Sequence, residues 1–389
     1  MGQSRRGGAP GKLWPSVLLD IGLVCLALGV VWGGIFHHLG EQRSEIAARA
    51  ARTSMNLAHA AAGDIGRTIA GIDEAMLFLR AAYVAAPEHF DIAAWARGVA
   101  ATDQPVFQYS ITDARGWLLA SSLGTPATPL DLSGFEPVRV QLNARDDVLF
   151  ISKPVIGRVS HRQSIQFTRR IVGADGSFLG VLVFSVDPDR LVGLYREMDL
   201  GRGALGLVGL DAILRARAPD GQDLIGHDLS QSPVFALALK HKGGTVTIAS
   251  PLDGVHRITS FRRVAGYPLF VTIGLDEKEV FAAFERYRRQ YETVGVGLSL
   301  FALVGGMVLF LSRRRLLASR RDLAAAIENI GQGLVMLGPR GRIAVINRRA
   351  VEMLGEVPAA SSGRLASGQH EEHHPGGRIL EVRTQGLPD

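Results

Sequence analysis

Two apolar stretches, Val17 to Phe36 and Val294 to Leu311, constrain this chain more than any other feature. Each is close to the roughly 20 apolar residues that a helix needs to cross the hydrocarbon core of a bilayer. The first is followed by His37, His38 and Leu39 rather than a small-residue cleavage site, so it reads as a retained anchor and not a removed signal peptide. It carries one acid, Asp20, close enough to its end to reach the headgroups. Arg5, Arg6 and Lys12 precede the first stretch, and Glu41 and Glu45 follow it. Arg313, Arg314, Arg315, Arg320 and Arg321 follow the second. The positive-inside rule then puts both termini in the cytoplasm and Gly40 to about Tyr291 outside, in the periplasm of a Gram-negative cell. Arg286, Arg288 and Arg289 sit on the outer flank, but a long loop translocates regardless of its charge. Two spans around one large loop suit a receptor in the bacterial inner membrane, since a transporter needs more spans to line a path.

The 389 residues are 47% apolar and 21% charged, enough for packed cores in two or three domains. The net charge of +6 is concentrated in arginines beside the apolar runs, which points to a bilayer as partner and away from nucleic acid. Cys25 is the single cysteine, which excludes an intrachain disulfide and a Cys-rich zinc site.

Within the loop, residues 37–83 read as a long proline-free helix. Ile65, Ile69, Ile72, Met76, Leu79 and Tyr83 are spaced by alternating fours and threes, a heptad seam. The seam packs either on its own domain or against a second copy of the chain. Five strands are then predicted over Val106 to Ile111, Trp117 to Ser121, Val148 to Ser152, Ser164 to Val172 and Phe178 to Val186. Asp113 to Gly116 and Ala174 to Gly176 supply turn chemistry between neighbours, which favours antiparallel pairing. A second block repeats the plan with Ala204 to Gly209, Ala212 to Arg217, Thr245 to Ala249, Val255 to Arg263 and Leu269 to Gly274. Asp131-Leu-Ser in the first block is matched by Asp228-Leu-Ser in the second, at a similar distance after a hairpin strand. The fold class is therefore α+β, with two tandem modules at residues 84–200 and 201–276. A connecting helix (277–293), the second span (294–311) and a signalling helix (312–330) follow. Leu316, Leu323, Ile327 and Ile330 share one face of that last helix.

Val148 to Ser160, Ser164 to Ile171, Asp175 to Asp187, Tyr195, Leu200 to Gly203 and Ala212 to Arg217 resemble, in that order, the double Cache sensor domains of bacterial transmembrane receptors. That resemblance implies two PAS-like modules with antiparallel sheets on a long helix, the membrane-distal one holding a small ligand from the periplasm. It also implies a homodimer and a cytoplasmic signalling partner. The chain departs from the pattern where relatives carry an Asp-Arg pair, here Gly134 and Phe135, and where they carry Trp, here Gln163. The missing arginine removes a bidentate partner for a carboxylate, although Arg139 matches a later arginine. Asp187 matches an acid that faces the ammonium in amine-binding relatives, or else it begins a turn before Pro188. The expected ligand pocket is lined by Phe135, Arg139, Phe150, Ser152, Lys153, Gln166, Thr168 and Asp187, which lie on or beside the predicted central strands of the membrane-distal module.

The segment from Ile327 to Leu337 and from Gly341 to Arg349 resembles the start of a PAS domain, and Arg378 to Thr384 a later strand. The short polar stretch Glu356 to Gly377 replaces the walls of a PAS pocket, so residues 331–389 read as an incomplete unit with no cofactor. The chain shows no Walker-type loop, no cyclase Gly-Gly-(Asp/Glu)-Glu-Phe loop and no room for a kinase ATP-binding domain after Leu354. His370, Glu371, Glu372, His373 and His374, followed by Pro375 and two glycines, read as a solvated loop and not a metal site. No catalytic residue is expected. The sequence thus predicts a non-catalytic sensor, with three rivals: a kinase or cyclase whose catalytic part lies beyond Asp389, a degenerate product without output, and an interaction protein that forms heterodimers through the Ile65 to Tyr83 seam.

Overall fold

The computed structural model describes residues 14–99, 105–124, 126–196, 200–219, 221–337, 343–354, 368–373 and 379–384. Arg5, Arg6 and Lys12, His374, and most of 356–377 lie outside the described residues. The chain divides into two compact units, one of Ile35–Glu292 and another of Met1–Gly34 with Thr293–Asp389.

Helix α1 runs without a break from Trp14 to Ala85, so the predicted span and stalk are one 72-residue helix. Its only proline, Pro15, sits in the first turn, where a missing N–H is tolerated. In the Ile35–Glu292 unit, α2 (Ile92–Val99) precedes a first sheet built from β1 (Val106–Asp113), β2 (Leu118–Ser121), β3 (Phe150–Ile156), β4 (Gln163–Val172) and β5 (Phe178–Val186). Helix α3 (Glu136–Asn143) lies between β2 and β3. After the short helices α4 (Pro188–Leu191) and α5 (Gly193–Arg196) comes a second sheet of β6 (Ala204–Gly209), β7 (Leu214–Ala218), β8 (Gly243–Ala249), β9 (His256–Arg263) and β10 (Leu269–Asp276), with α6 (Pro233–Lys240) between β7 and β8. The strand orders are β2-β1-β5-β4-β3 and β7-β6-β10-β9-β8, the same topology twice, antiparallel throughout. This is the α+β tandem arrangement that the sequence predicts.

The repeat extends to single hydrogen bonds. Isolated bridges join Trp117 to Asp131 and Ile213 to Asp228. The Asp131 carboxylate accepts from the Ser133 N–H (2.8 Å) and Asp228 from the Ser230 N–H (2.7 Å). Both outer ladders bulge at the same step, Ile111/Thr112 and Leu207/Val208. The two Asp-Leu-Ser triplets are therefore equivalent turns.

The heptad seam is consumed inside the chain. Ile65, Ile69, Ile72, Met76 and Leu79 are all buried, and they join one core with Phe167, Phe184 and Ile111 of the first sheet and Leu207, Val271 and Ile273 of the second. Of the two readings, packing on its own domain is the one observed, because both sheets turn an apolar face to α1. Arg169 reinforces this contact, its guanidinium meeting both oxygens of Asp73 on α1 (2.5 and 2.9 Å).

Strand β3 differs from expectation, running over Phe150–Ile156 in place of Val148 to Ser152. Pro154 lacks an N–H, and the strand accommodates it at a sheet edge beside a break in register between Ile151 and Pro154. Gly180, at φ +155°, lies where a Cβ would strike the Thr112 carbonyl oxygen, so the central β1–β5 pairing requires glycine there.

Helix α7 (Glu277–Asn329), whose residues from Thr293 on belong to the other unit, replaces the separate connecting, spanning and signalling helices with one. The parts of α1 and α7 in this unit are apolar and outward-facing: Leu26 and Val30 are exposed, and Phe301 is 78% exposed. Both helices are long and apolar enough to cross a membrane. The Trp32 indole N–H donates to Ser299 Oγ (3.0 Å), and Arg313 meets both Asp20 oxygens (2.8 and 2.9 Å). A Cβ on Gly306 would come within 2.9 Å of Val24, which explains the small residue by packing. Beyond α7, β11 (Val335–Leu337) pairs with β12 (Ile343–Ile346), then α8 (Arg348–Leu354) follows. The buried Asn347 holds these together, donating to Ile327 O and Gln332 O and accepting from Leu334 N and Ala350 N. Helix, strand, strand ending at Asn347 and helix come in the order expected. The histidine cluster needs correction: His370 and His373 lie in β13 (Gly368–His373), paired with β14 (Ile379–Thr384), and not in a loop. Period-two pairing opposite Val382 and Leu380 gives this polar segment an extended backbone partner that its composition does not reveal.

Candidate ligand-binding faces

Each sheet of the Ile35–Glu292 unit covers α1 with one face, so chemistry is left to the opposite face. In the first module that face is polar. Gln108, Ser110 and Thr112 alternate along β1, and Ser164, Gln166 and Thr168 along β4, all buried. Ser185 lies between them and bonds to both amides, to Gln166 Oε1 at 3.0 Å and Gln108 Oε1 at 3.4 Å. Gln108 Nε2 donates to Ser110 Oγ (2.9 Å), and Gln166 Nε2 to Ser164 Oγ (2.8 Å). Ser152 Oγ accepts from the Gln166 N–H (2.9 Å), and Thr168 Oγ1 donates to Pro137 O on α3 (3.0 Å). The result is an uncharged, self-bonded stripe in a dry setting, where every member must stay satisfied.

Of the eight residues singled out from sequence, Ser152, Gln166 and Thr168 meet on this stripe, and Phe150 lies opposite Thr168 in register. Phe135 stands at the start of α3, half-buried, under the guanidinium of Arg158. The other three point elsewhere. Arg139 is exposed on α3. Lys153 is exposed and acts on the second module, where its charge helps to lower the pKa of Asp211 and Asp228. Asp187 caps α4, accepting from the Asp189 N–H (3.0 Å), and pairs with Arg162 (3.2 Å). The turn reading of Asp187 thus describes its contacts. Sequence reasoning missed Gln108, Ser110 and Ser185, although polar residues at alternate positions of otherwise apolar strands were a readable signal.

The second module has a cavity of about 70 Å³ on the corresponding face. Val208, Leu214 and Phe270 form an apolar wall, while Thr259, Arg217 and Arg257 line the polar end. Both arginines are at least nine-tenths buried as side chains and meet Asp253 in the β8–β9 turn, at 2.6 and 2.7 Å. Burial pushes the Asp253 carboxyl up, but hydrogen bonds from Arg257 and the Val255 N–H, with the charge of Arg257, outweigh it and hold the pKa well below the usual carboxylate range.

This geometry can be set beside known proteins. Residues 188–274, which include all but the last two residues of the second module, match a family model described as a histidine kinase sensor domain of dCache_1-like type. The extracellular domain of rpHK1S-Z16, described as a putative histidine kinase, is 27% identical with a TM-score of 0.54, covering 60% of this chain and 97% of that one. The Ile35–Glu292 unit has the double Cache fold. Two further solved structures are similar at lower scores. The ligand-binding domain of the Pseudomonas fluorescens chemoreceptor CtaA, in complex with L-leucine, is 17% identical with a TM-score of 0.48, covering 61% of this chain and 99% of its own. That of Mlp24 with asparagine is 16% identical with a TM-score of 0.46, covering 62% and 98%. No curated protein matches the chain. The matched model and the 27% identical structure liken this unit to sensor domains of histidine kinases, and two apolar helices flank it.

Proposed function

We propose that the chain is a membrane-anchored receptor of the bacterial inner membrane, with its double Cache unit in the periplasm and both ends in the cytoplasm. The observation that carries this is the continuity of α1 and α7, each of which runs from the sensor unit into an apolar stretch of spanning length. A solute that favours one arrangement of the sensor shifts a population, and a continuous helix is a direct route for that bias to a cytoplasmic partner. The chain acts as a homodimer, with the exposed Leu316 and Leu323 on the cytoplasmic part of α7 as the contact.

The first, membrane-distal module takes a small uncharged polar solute that exchanges its own hydrogen bonds for those the buried stripe around Gln166, Ser152, Thr168 and Phe150 makes within itself. Asp187 is already neutralised by Arg162 and Arg139 faces water, so a charged ligand gains no partner from either. The test uses the intact chain in vesicles. External protease is expected to cut only within residues 35–292, and a panel of neutral polar solutes to raise the melting temperature of the wild type but not of Gln166→Leu. Cleavage beyond residue 312 by external protease overturns the topology. Equal shifts in both proteins overturn the site.

A further inference from the structure

Register makes the two modules comparable residue by residue. Ser110 faces Ser121 one step before the shared bulge, and Gly206 faces Arg217 at the same step. Ser185 lies between Gln166 and Gln108, and Gly274 between Thr259 and Ala204. The β3–β4 and β8–β9 turns close alike: Gly157 N–H to Arg162 O with His161 N–H to Gly157 O, and Ser250 N–H to Val255 O with Gly254 N–H to Ser250 O. His161 and Gly254 both take positive φ, 53° and 69°. Ser121, Ser160 and Ser164 of the first module therefore correspond to Arg217, Asp253 and Arg257 of the second.

The exchange changes two properties at once. Gln108, Gln166 and Ser185 fill the first face with their own hydrogen bonds, whereas Ala204, Thr259 and Gly274 are smaller and leave the cavity open. A Cβ on Gly274 would come within 2.6 Å of Arg257 Cδ, so glycine seats that side chain. Two serines become arginines that line the space, and no carboxylate lines it among the described residues. Arg257 gives Nε and Nη2 to Arg202 O (3.2 and 2.9 Å) and Nη1 to Asp253 (2.7 Å), so what it offers a ligand is the second N–H of each terminal nitrogen. Asp276, the register partner of Arg257, is met instead by Arg202 at 3.5 Å. Buried guanidiniums are forks suited to a carboxylate, and the opposite wall of Val208, Leu214 and Phe270 suits a short alkyl tail.

We infer that the second module is a binding site for a small monocarboxylate, its carboxylate on Arg217 and Arg257 and its tail against the apolar wall. A volume of about 70 Å³ holds about five water-sized bodies, which limits the ligand to about three carbons. This site is independent of the solute proposed for the first module.

The experiment is calorimetric titration of the intact chain in nanodiscs with propionate, propionamide, n-propylammonium and inorganic phosphate. Propionate alone is expected to bind, and Arg217→Gln to weaken it at least about tenfold. Arg97→Ala, which removes an exposed charge on α2, should leave the affinity unchanged. Ala204→Gln, which installs the first module's side chain in the cavity, should abolish binding with the arginines intact, and it decides the matter if Arg217→Gln does not fold. Binding of propionamide as tight as propionate overturns the role of the arginines, and preferential binding of phosphate overturns the carboxylate class. Unchanged propionate affinity in Ala204→Gln overturns the site, as does no heat from propionate up to about 10 mM with wild type.

Discussion

Replacing Ile69 by alanine tests whether the α1 seam belongs to the fold. Ile69 is fully buried between Ile65 and Ile72 in a core that both sheets share. The substitution deletes three carbon groups at about 0.8 kcal/mol each, or about 2.4 kcal/mol of transfer free energy. Sheets on two sides restrain collapse of the space left, so the cavity contribution brings the loss to about 3–4 kcal/mol. Against a total stability of about 5–15 kcal/mol this is a large fraction. With a urea slope near 3 kcal/mol/M, the unfolding midpoint of the Ile35–Glu292 unit should fall by about 1 M, with the slope unchanged. Ile69→Val should cost about 0.5–1.5 kcal/mol. The assay is urea unfolding followed by far-UV circular dichroism, repeated over about a hundredfold range of protein concentration. If the seam joined two chains, the midpoint would rise with concentration and the substitution would cost little in dilute protein. Either result refutes packing of the seam within one chain.

Gly180→Ala should prevent the central β1–β5 pairing, because the new Cβ meets the Thr112 carbonyl oxygen and the φ of +155° is strained for alanine; recovery of soluble Ile35–Glu292 unit at wild-type yield would contradict this. Acid should unfold this unit for a nameable reason. Asp253 and Asp147 have folded pKa values below their unfolded ones. Burial acts upward in both, but hydrogen bonds from Arg257 and Val255 N–H at Asp253, and from Arg80 and Arg169 at Asp147, outweigh it. Their contribution is therefore complete above about pH 5 and is lost as pH falls through and below the unfolded value near 4. Thermal melts should be flat from about pH 7 to 5 and fall below about pH 4, with a shallower fall in Asp253→Asn; identical acid slopes would count against the assignment. Asn347→Ala removes four hydrogen bonds joining the end of α7 to β11, β12 and α8, and limited proteolysis should then cut between residues 330 and 347 first.

Much of the fold was legible because local rules and tertiary structure agree. The seam from Ile65 to Leu79 announced its burial by spacing, and Asp131-Leu-Ser with Asp228-Leu-Ser announced the duplication. Strand β3 was misplaced because Pro154 looks like a terminator in sequence, while an edge position with an irregular register tolerates it. The short helices α3 and α6 carry no strong periodic signal over eight residues each. Resemblance marked Lys153 and Arg139 for the ligand face, but strand alternation sends Lys153 toward Asp211 and the helix phase leaves Arg139 in water. The charged cluster of the second module was invisible for a different reason. Arg217, Asp253 and Arg257 are unremarkable alone, and only the β6–β7 register and the β8–β9 turn bring them together.

The paired modules also show why the charged cluster must come as a set. Ser164 is fully buried and occupies the position of Arg257. Ser164→Arg alone would place a guanidinium where Gln166 now donates to the serine, with Ser160 in place of an aspartate and Ser185 in place of the glycine that seats Arg257. A buried charge without its partner costs about 3–5 kcal/mol, before any clash is counted. Adding Ser160→Asp and Ser185→Gly supplies the partner and the space. The triple substitution should therefore be more stable than Ser164→Arg by about 2 kcal/mol or more, a non-additive gain read from urea midpoints of the two variants. Equal midpoints would mean that the modules share topology but not the side-chain geometry on which the correspondence depends.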